Sequence, residues 1–362
     1  MAGPDRPRTL SRAELTAALA ARQMLIAREH IPPAAAIRRL TPLQAQHPPA
    51  PYIALAARLD GFGRAGLEAA IGAGQVLKTT IMRVTLHLAA GEDYPAYAQL
   101  VRQARLRTWR RTFAHLDEAA VTAELRDWFR TPRTNAEIRE RVRGYEGAPD
   151  EPWPLVWFAR TLLPLVQLPP GGFWTDGRRA EFVVDPRPLP DPADAAAMVL
   201  TRYLAAFGPA SRRDVAAWAG VPQREFAAAL TRVPTAAHRD ERGAELLDLP
   251  GAPLPDASTP LPPRFLGHWD QPLLAYADRE RIMSPEVAAL KLTISGAPTV
   301  TVDGRVAASW ALVREGGDAR VEITPHTDIP RRSRTAIRAE AERTARFCAP
   351  DAARVTVAGL PT

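Results

Sequence analysis

The spacing of apolar residues in the first part of the chain predicts several helices followed by a β-hairpin. Apolar positions recur at helical spacing in residues 11–28, 34–40, 52–59 and 64–73, and prolines interrupt the chain between them. Residues 76–90 are instead rich in β-branched side chains that alternate with other types, which predicts two paired strands.

This order of elements, which is that of a winged helix, recurs twice further along the chain. Each recurrence has helical stretches and then a β-rich one, and the first recurrence has an Asp176-Gly177 turn inside its predicted hairpin. The predicted elements are helices at 117–130, 134–142 and 154–166 with a hairpin over 173–184, then helices at 194–206, 211–220 and 222–233 with a strand over 244–250.

Local signals support two of these helices. Ser11 with Glu14, and Ser211 with Asp214, have the spacing of a capping box, and Gly220 is typical of a helix C-terminus.

The end of the chain has a different pattern. Residues 251–263 are rich in proline and small residues and predict a loop or linker. Residues 298–325 alternate over three strands with turns at Asp303-Gly304 and Gly316-Gly317, and a last helix is predicted over 331–346.

We therefore expect an α+β fold that is mainly helical, with three tandem winged-helix domains. The predicted boundaries are 8–112, 113–190 and 191–362.

The basic charge of the chain leaves two explanations open. The net charge is +7, which suits a polyanionic partner such as DNA. Lys78 and Lys291 are the only lysines, however, and Ala, Arg and Pro are abundant, so a GC-rich genome would produce the same profile.

Composition argues against several kinds of protein and site. No apolar run approaches the roughly 18 residues of a membrane span, and the N-terminus lacks an apolar signal segment. Cys348 is the only cysteine, which excludes an internal disulfide and a cysteine-based zinc site and fits a reducing cytosol. The histidines are scattered and no phosphate-binding glycine motif is present, so we expect no metal and no cofactor.

Several stretches of the chain resemble the AlkZ/YcaQ family of winged-helix DNA glycosylases in their sequence, order and spacing. The resemblance extends from about residue 10 to residue 345. The stretches are LTPLQAQHPPAPYIALAARL (40–59), TTIMRVTLHLAAGEDYPAY (79–97), YLAAFGPASRRDVAAWAG (203–220), LGHWDQPLLAYADRERIM (266–283) and VDGRVAASWALV (302–313).

The resemblance implies three winged-helix units around a DNA-binding channel. It also implies hydrolytic removal of N7-alkylguanines, including bulky adducts and interstrand crosslinks. The family's catalytic element, Gln, an aliphatic residue and then Gln or Asp, corresponds to Gln44-Ala45-Gln46. Two glutamines match the AlkZ-like branch, in which self-resistance to a DNA-alkylating metabolite occurs.

The residue types at 44 and 46 suit this chemistry. Two residues apart in an extended stretch, Gln44 and Gln46 would point the same way and offer both donors and acceptors. An N7-alkylguanine is already cationic, so the amides need only place a water and tolerate an oxocarbenium-like sugar. The alternative is that both amides bond the backbone of a proline-rich loop, with His47 packed beside them.

Three further groups are candidate DNA contacts. Arg83, Thr85 and His87 alternate on the predicted second strand of the first wing, either to contact DNA or as an ordinary polar strand face. A helix predicted over 99–111 contains Arg107, Arg110 and Arg111. These arginines form either a surface that follows the DNA phosphates or an ordinary solvated face. The candidate minor-groove probe is the hairpin with Asp303, Gly304 and Arg305.

Taken together, we expect a monofunctional DNA glycosylase, since lysine amines are so scarce. It would be a cytoplasmic, nucleoid-associated monomer acting on double-stranded DNA that carries alkylated purines. Two alternatives without catalysis are a winged-helix transcription regulator and a repair accessory that only recognises adducts.

Overall fold

The computed structural model describes residues 7–145, 148, 153–175 and 180–360. The helices in this part of the chain are α1 (Arg12–Arg22), α2 (Pro33–Leu40), α3 (Ala50–Ala56), α4 (Arg64–Gly72), α5 (Tyr94–Thr112), α6 (Glu118–Trp128), α7 (Asn135–Arg143), α8 (Trp153–Leu162), α9 (Pro192–Phe207), α10 (Arg212–Ala219), α11 (Ala227–Arg232), α12 (Gln271–Leu274), α13 (Pro285–Ala289), α14 (Leu292–Ser295) and α15 (Arg331–Cys348). None of them is long and apolar enough to cross a lipid bilayer.

Strands form three sheets among the helices, and helical residues outnumber strand residues. The strands are β1 (Arg8–Leu10), β2 (Leu43–Gln44), β3 (Val76–Thr80), β4 (Leu86–Ala90), β5 (Arg133–Thr134), β6 (Leu165–Gln167), β7 (Glu181–Val184), β8 (Ala236–Asp240), β9 (Glu245–Asp248), β10 (Arg264–Leu266), β11 (Thr299–Val302), β12 (Arg305–Glu315), β13 (Asp318–Pro325) and β14 (Val355–Ala358).

The hairpin predicted over 76–90 is confirmed. β3 and β4 pair antiparallel, joined by a short 3-10 turn, Met82–Val84. β2 pairs antiparallel with the other edge of β4, which places Leu43 opposite Leu88 and Gln44 opposite His87. The motif region is thus the edge strand of a six-stranded sheet with the order β2-β4-β3-β6-β7-β5.

The pairing predicted over 173–184 is wrong. β7 pairs with β6, which precedes it by a longer connection, and residues 173–175 form no strand. The helix predicted over 154–166 is too long: α8 ends at Leu162, just ahead of Pro164, and Leu165 begins β6. The predicted Asp176-Gly177 turn lies outside the described residues.

The first predicted helix ends early, and one strand partner was missed. α1 stops at Arg22 because Met24 adopts a left-handed conformation (φ 53°) through which a helix cannot continue. In the third unit, the predicted strand β9 pairs with β8, which was not predicted, and β8 in turn pairs in parallel with β1. The N-terminus is thereby joined to residues more than two hundred positions away.

The C-terminal strands and the capping signals follow the prediction. β11, β12 and β13 form an antiparallel meander within a five-stranded sheet, with α15 packed against it. Ser11 and Ser211 close capping boxes with Glu14 and Asp214, and Gly220 ends α10 in a left-handed conformation. These features are local, so neighbouring residues suffice to predict them.

The largest core cluster surrounds α9. Trp218 from α10 lies within this cluster at 0% exposure, in ring contact with Tyr97, Tyr203 and Phe207. α9 packs against both α1 and α5. The first and third predicted units therefore share one hydrophobic core.

A fully buried ion pair crosses the molecule beside this core. The Arg58 guanidinium, which follows α3, donates two hydrogen bonds to the Asp270 carboxylate at 2.6 and 3.0 Å, and both side chains are 0% exposed. Arg58 also donates to the carbonyls of Gln23 and Ala54. The pair therefore positions the start of α12 against α1 and α3.

We expect Asp270→Asn to lower the free energy of unfolding by about 3–5 kcal/mol, since it leaves an uncompensated guanidinium in the interior. Urea denaturation measures this change. The matched control is Asp351→Asn, because Asp351 accepts two hydrogen bonds from Arg314 in the same geometry on the surface. That variant should change stability little, and equal effects in the two variants would contradict the prediction.

Candidate active site

Gln44 and Gln46 lie on an extended segment between α2 and α3. The backbone pairing with β4 continues to Ala45, whose N–H donates to Leu86 O at 2.8 Å. The Gln44 side chain is buried (7% exposed), whereas Gln46 is exposed. The two amides thus lie side by side on the edge of the sheet, one beneath the surface and one on it.

Gln44 contacts the turn that joins β3 to β4, and Gln46 contacts the first residue of β4. Gln44 Oε1 accepts hydrogen bonds from Arg83 Nη2 (3.2 Å) and Thr85 Oγ1 (3.3 Å), and Gln46 Oε1 accepts one from Leu86 N (3.0 Å). Because guanidinium and backbone N–H groups only donate, these bonds define which end of each amide is the oxygen.

Arg83 reaches Gln44 through an unusual backbone. Its φ is +54° inside the 3-10 turn, so it does not lie on a strand as predicted, and strand alternation is not what brings Arg83, Thr85 and His87 together. The left-handed turn instead folds the Arg83 side chain back over Gln44. The guanidinium also donates to the Trp218 carbonyl. Burial and the nearby Arg279 lower the pKa of Arg83 to about 10, so it stays cationic at neutral pH.

His87 lies in the protein interior next to Arg83. It is 0% exposed, its Nδ1 donates to Thr85 O (2.9 Å), and its Nε2 lies 3.4 Å from Arg83 Nη2. Burial first, and then the Arg83 charge, lower the pKa of His87 to about 3, which keeps the imidazole neutral with Nε2 as an acceptor. The direct DNA contact predicted for His87 would require an exposure that this side chain lacks.

Gly220 allows α10 to approach this turn. At φ +68° it favours glycine, and a Cβ there would lie 2.8–2.9 Å from the Cγ, Cα and N of Arg83. Glycine at this position is therefore required by contact with Arg83 as well as by the end of the helix.

Gln271 completes a closed set of contacts around the motif. It is 1% exposed, its Oε1 accepts from Trp218 Nε1 (3.2 Å), and its Nε2 donates to Pro42 O (2.6 Å). Pro42 lies two positions before Gln44, so contacts run from Gln44 through Arg83, Trp218 and Gln271 back to the motif segment. Sequence reasoning missed Gln271, Trp218 and Arg279 as site residues, since no spacing pattern connects them to Gln44.

Three rings lie on the C-terminal side of the motif, and we call them the ring shelf: His47, His268 and Trp269. The rings of His47 and His268 lie 4.1 Å apart between centroids, and Trp269 follows at 5.9 Å from His268. His268 Nδ1 donates to Gly296 O at 2.8 Å. Burial lowers the pKa of both histidines, which favours the neutral form of each imidazole.

The arginines on α5 lie apart from this cluster. Arg107 pairs with Glu225, and Arg110 donates two bonds to Glu118 at 2.7 and 3.1 Å. Arg111 is exposed. A phosphate-tracking role for these arginines stays a prediction, and acidic neighbours already offset two of the three charges.

The turn at Asp303-Gly304 is also removed from the motif and is packed against the protein. A Cβ at Gly304 would lie 2.6 Å from both Leu261 and Thr16, and Arg305 donates to Glu280 O at 2.6 Å. Asp303 is exposed and accepts from Arg332. The groove-probe role of these residues stays a prediction that the contacts do not favour.

The comparisons with known proteins match this architecture over most of the chain. A family model described as "DNA glycosylase AlkZ-like" matches residues 37–347, which include Gln44, Gln46, Arg83 and Gln271. The solved structure of the DNA glycosylase AlkZ from Streptomyces sahachiroi is similar, with a TM-score of 0.79 at 21% identity over 97% of this chain and 99% of that chain. At this identity the likeness concerns the fold. No curated protein matches the chain.

The buried, neutral His87 predicts a specific pH dependence of stability. An unfolded histidine takes up a proton below about pH 6.5, whereas the folded one resists protonation down to about pH 3. Its contribution is therefore fully present above pH ~6.5 and is lost as the pH falls, by up to about 1.4 kcal/mol per pH unit. Urea unfolding at pH 4.5–7.5 should show this loss.

His87→Gln is the reference for this measurement, because its amide oxygen can still accept from Arg83 and does not titrate. The difference in free energy of unfolding between the parent and the variant should shrink on acidification. A difference that stays constant across the range would contradict the assignment of the pH dependence to His87.

Proposed function

Since the chain belongs to the AlkZ-like DNA glycosylase family, a family of hydrolases that act on N-glycosyl bonds, we propose that it excises N7-alkylguanines from double-stranded DNA. The substrates include bulky adducts and interstrand crosslinks. The observation that carries the proposal is that Gln44 and Gln46 both bond the segment from Arg83 to Leu86, with both amide orientations set by groups that can only donate.

The two glutamines have different tasks in this proposal. Gln46 is exposed, and its Oε1 has one lone pair left after the bond from Leu86 N–H, so it accepts a hydrogen bond from the attacking water. Gln44 Oε1 is occupied by Arg83 and Thr85, so the amide of Gln44 offers its Nε2 donor, polarised by the Arg83 cation, to the target nucleotide.

The reaction then needs little acid–base catalysis. Water adds to C1′, the bond from C1′ to the purine breaks, and its electron pair neutralises the cationic base, while the proton of the water passes to solvent. Within the part of the chain that the structure describes, the hydrogen bonds to the two amide oxygens come from Arg83, Thr85 and Leu86, none of them acidic. Neutral amides stabilise a cationic sugar less than a carboxylate does, so only an activated leaving group is removed quickly.

We further propose a monofunctional enzyme. Strand cleavage by a glycosylase requires an accessible amine that forms a Schiff base with the sugar. Of the two lysines, Lys78 lies inside the sheet on β3 and is 3% exposed, and the exposed Lys291 is not among the residues that hydrogen-bond Gln44 or Gln46. An intact abasic site is the expected product.

The tandem arrangement of winged helices, with boundaries at 8–112, 113–190 and 191–362, is part of the same proposal. The strand pairs β3/β4, β6/β7 and β8/β9, one within each of these ranges, support it. We propose that the three domains surround a channel for duplex DNA that the motif faces. Within it, Arg83 and Thr85 act through Gln44, and Arg111 on α5 is exposed for phosphate contact.

We expect Gln44→Ala/Gln46→Ala to lower single-turnover excision of N7-methylguanine by about 100-fold or more, because preorganised groups at a reacting centre typically contribute this much. Binding to the same duplex should change little.

The parent should excise uracil far more slowly than N7-methylguanine, and borohydride should trap no covalent protein–DNA adduct.

Gln99→Ala/Gln75→Ala is the matched control, since it also removes one buried and one exposed amide, but on α5 and ahead of β3. It should retain excision. Parent-like excision by the Gln44/Gln46 variant would refute the catalytic assignment, and trapping by borohydride would refute the monofunctional one.

Gln271 acts in this proposal as a positioning residue. Gln271→Met removes both of its bonds, so we expect kcat to fall about tenfold with KM nearly unchanged, which corresponds to about 1.4 kcal/mol in the barrier. Gln271→Glu still accepts from Trp218 and, when protonated, regains a donor toward Pro42 O. Its kcat should therefore recover as the pH is lowered, whereas that of Gln271→Met should not.

Gln23→Met is the control for lost stability, because Gln23 is also fully buried and donates to a single carbonyl, Ala206 O, away from the motif. It should leave kcat unchanged. If both methionine variants lower kcat equally, or if Gln271→Glu shows no pH-dependent recovery, the positioning role is wrong.

A further inference from the structure

Two exposed apolar side chains lie close together in sequence next to the candidate active site. Among the described residues, the large hydrophobic side chains classed as exposed are Trp157 (46%), Leu290 (49%) and Ile294 (74%). Leu290 and Ile294 flank the exposed Lys291, and we call these three residues the apolar tip. Scattered single apolar residues on a surface are ordinary, but a paired set beside a site indicates a partner.

The tip is built as a rigid structure. Lys291 has a left-handed backbone (φ 55°) that separates the short helices α13 and α14, and Gly296 ends α14 at φ 71°. Val287 and Leu292 are buried on either side of Lys291 and anchor the segment. The exposure of Ile294 therefore belongs to an ordered turn.

Two contacts fasten the tip to the ring shelf at the motif. Trp269 Nε1 donates to Thr293 O at 3.1 Å, and the Trp269 ring lies so close to Gly296 that a Cβ there would be 2.2 Å from it. His268 donates to Gly296 O and stacks near His47, which directly follows Gln46. A few contacts thus connect Ile294 to the catalytic motif.

Two arginines lie near the tip, and the exposed Glu286 on α13 is an acidic neighbour. Arg213 and Arg279 share a cavity of about 370 Å³ with Leu292 and Thr293, and Arg279 is close enough to Arg83 to lower its pKa. The acidic residue in this cavity, Asp278, is paired with Arg242. Apolar side chains with basic neighbours fit duplex DNA, in which phosphates flank base steps that apolar wedges can separate.

We propose that Leu290 and Ile294 insert between base pairs beside the target nucleotide, while Lys291 contacts a flanking phosphate. The proposal rests on the proposed function for the location of the target, and it assigns the role of groove probe to this tip. Partial unstacking would expose the glycosidic bond to Gln44 and Gln46 without requiring the whole adduct to enter a pocket. This suits adducts that are too bulky to be extruded.

Fluorescence of 2-aminopurine tests the wedge without any excision. The probe is a duplex with a tetrahydrofuran abasic analogue and 2-aminopurine as its neighbour, titrated with protein to saturation. The parent should raise the fluorescence several-fold. Leu290→Ala/Ile294→Ala should lose most of this rise while keeping the same dependence of log Kobs on log salt concentration. Lys291→Gln should lower that slope by about one unit and keep the rise.

Trp157→Ala is the matched control, since it removes the other exposed large apolar side chain, on α8, and should leave the fluorescence rise intact. All of these substitutions are at exposed positions, so folding is expected to be preserved. A full rise in the Leu290/Ile294 variant would overturn the proposal. A parent dimer in sedimentation that dissociates in this variant would also overturn it, because the tip would then bind a second copy.

Excision by the parent is measured separately on N7-methylguanine DNA. Unstacking without excision would contradict the proposed function and support the wedge. Excision without unstacking would contradict the wedge and support the proposed function.

Discussion

The buried ion pair between Arg58 and Asp270 is the interaction on which the site depends. Asp270 lies between Trp269, which braces the apolar tip, and Gln271, which bonds the motif segment at Pro42. Because both partners are fully buried, the pair fixes the positions of Trp269 and Gln271 on either side of Asp270. Such a pair tolerates little displacement, because separating the charges inside the protein leaves each without solvation.

Charge distribution at the site explains how neutral side chains can be used for chemistry. The cation nearest the motif, Arg83, is turned inward onto Gln44 Oε1 and the Trp218 carbonyl, and His87 below it is held neutral by burial. The two amides of the motif are therefore dipoles rather than charges, and Arg83 polarises that of Gln44. In the reaction that we propose, such a site favours a substrate that already carries the positive charge that an enzyme would otherwise have to create.

Much of the fold could be predicted because its signals are local. Alternation identified the β3/β4 hairpin and the β11–β13 meander, and capping boxes marked the starts of α1 and α10. Predictions failed at short strands: β6 was taken for the end of a helix, and β8, which pairs with both β9 and the distant β1, has no alternating pattern of its own. Short strands of mixed polarity take their conformation from their partner, so their own residues do not reveal it.

The sequence by itself determined the motif, its extended backbone and the scarcity of lysine, since these depend on residue type and on prolines close by. Only the tertiary structure decided that Arg83 turns inward at a positive φ, that His87 is buried, and that Gln271, 229 positions from Pro42, bonds it. The physical reason is that a side chain's charge state and direction depend on burial and on partners. Those partners are brought together by packing, and no spacing along the chain records them.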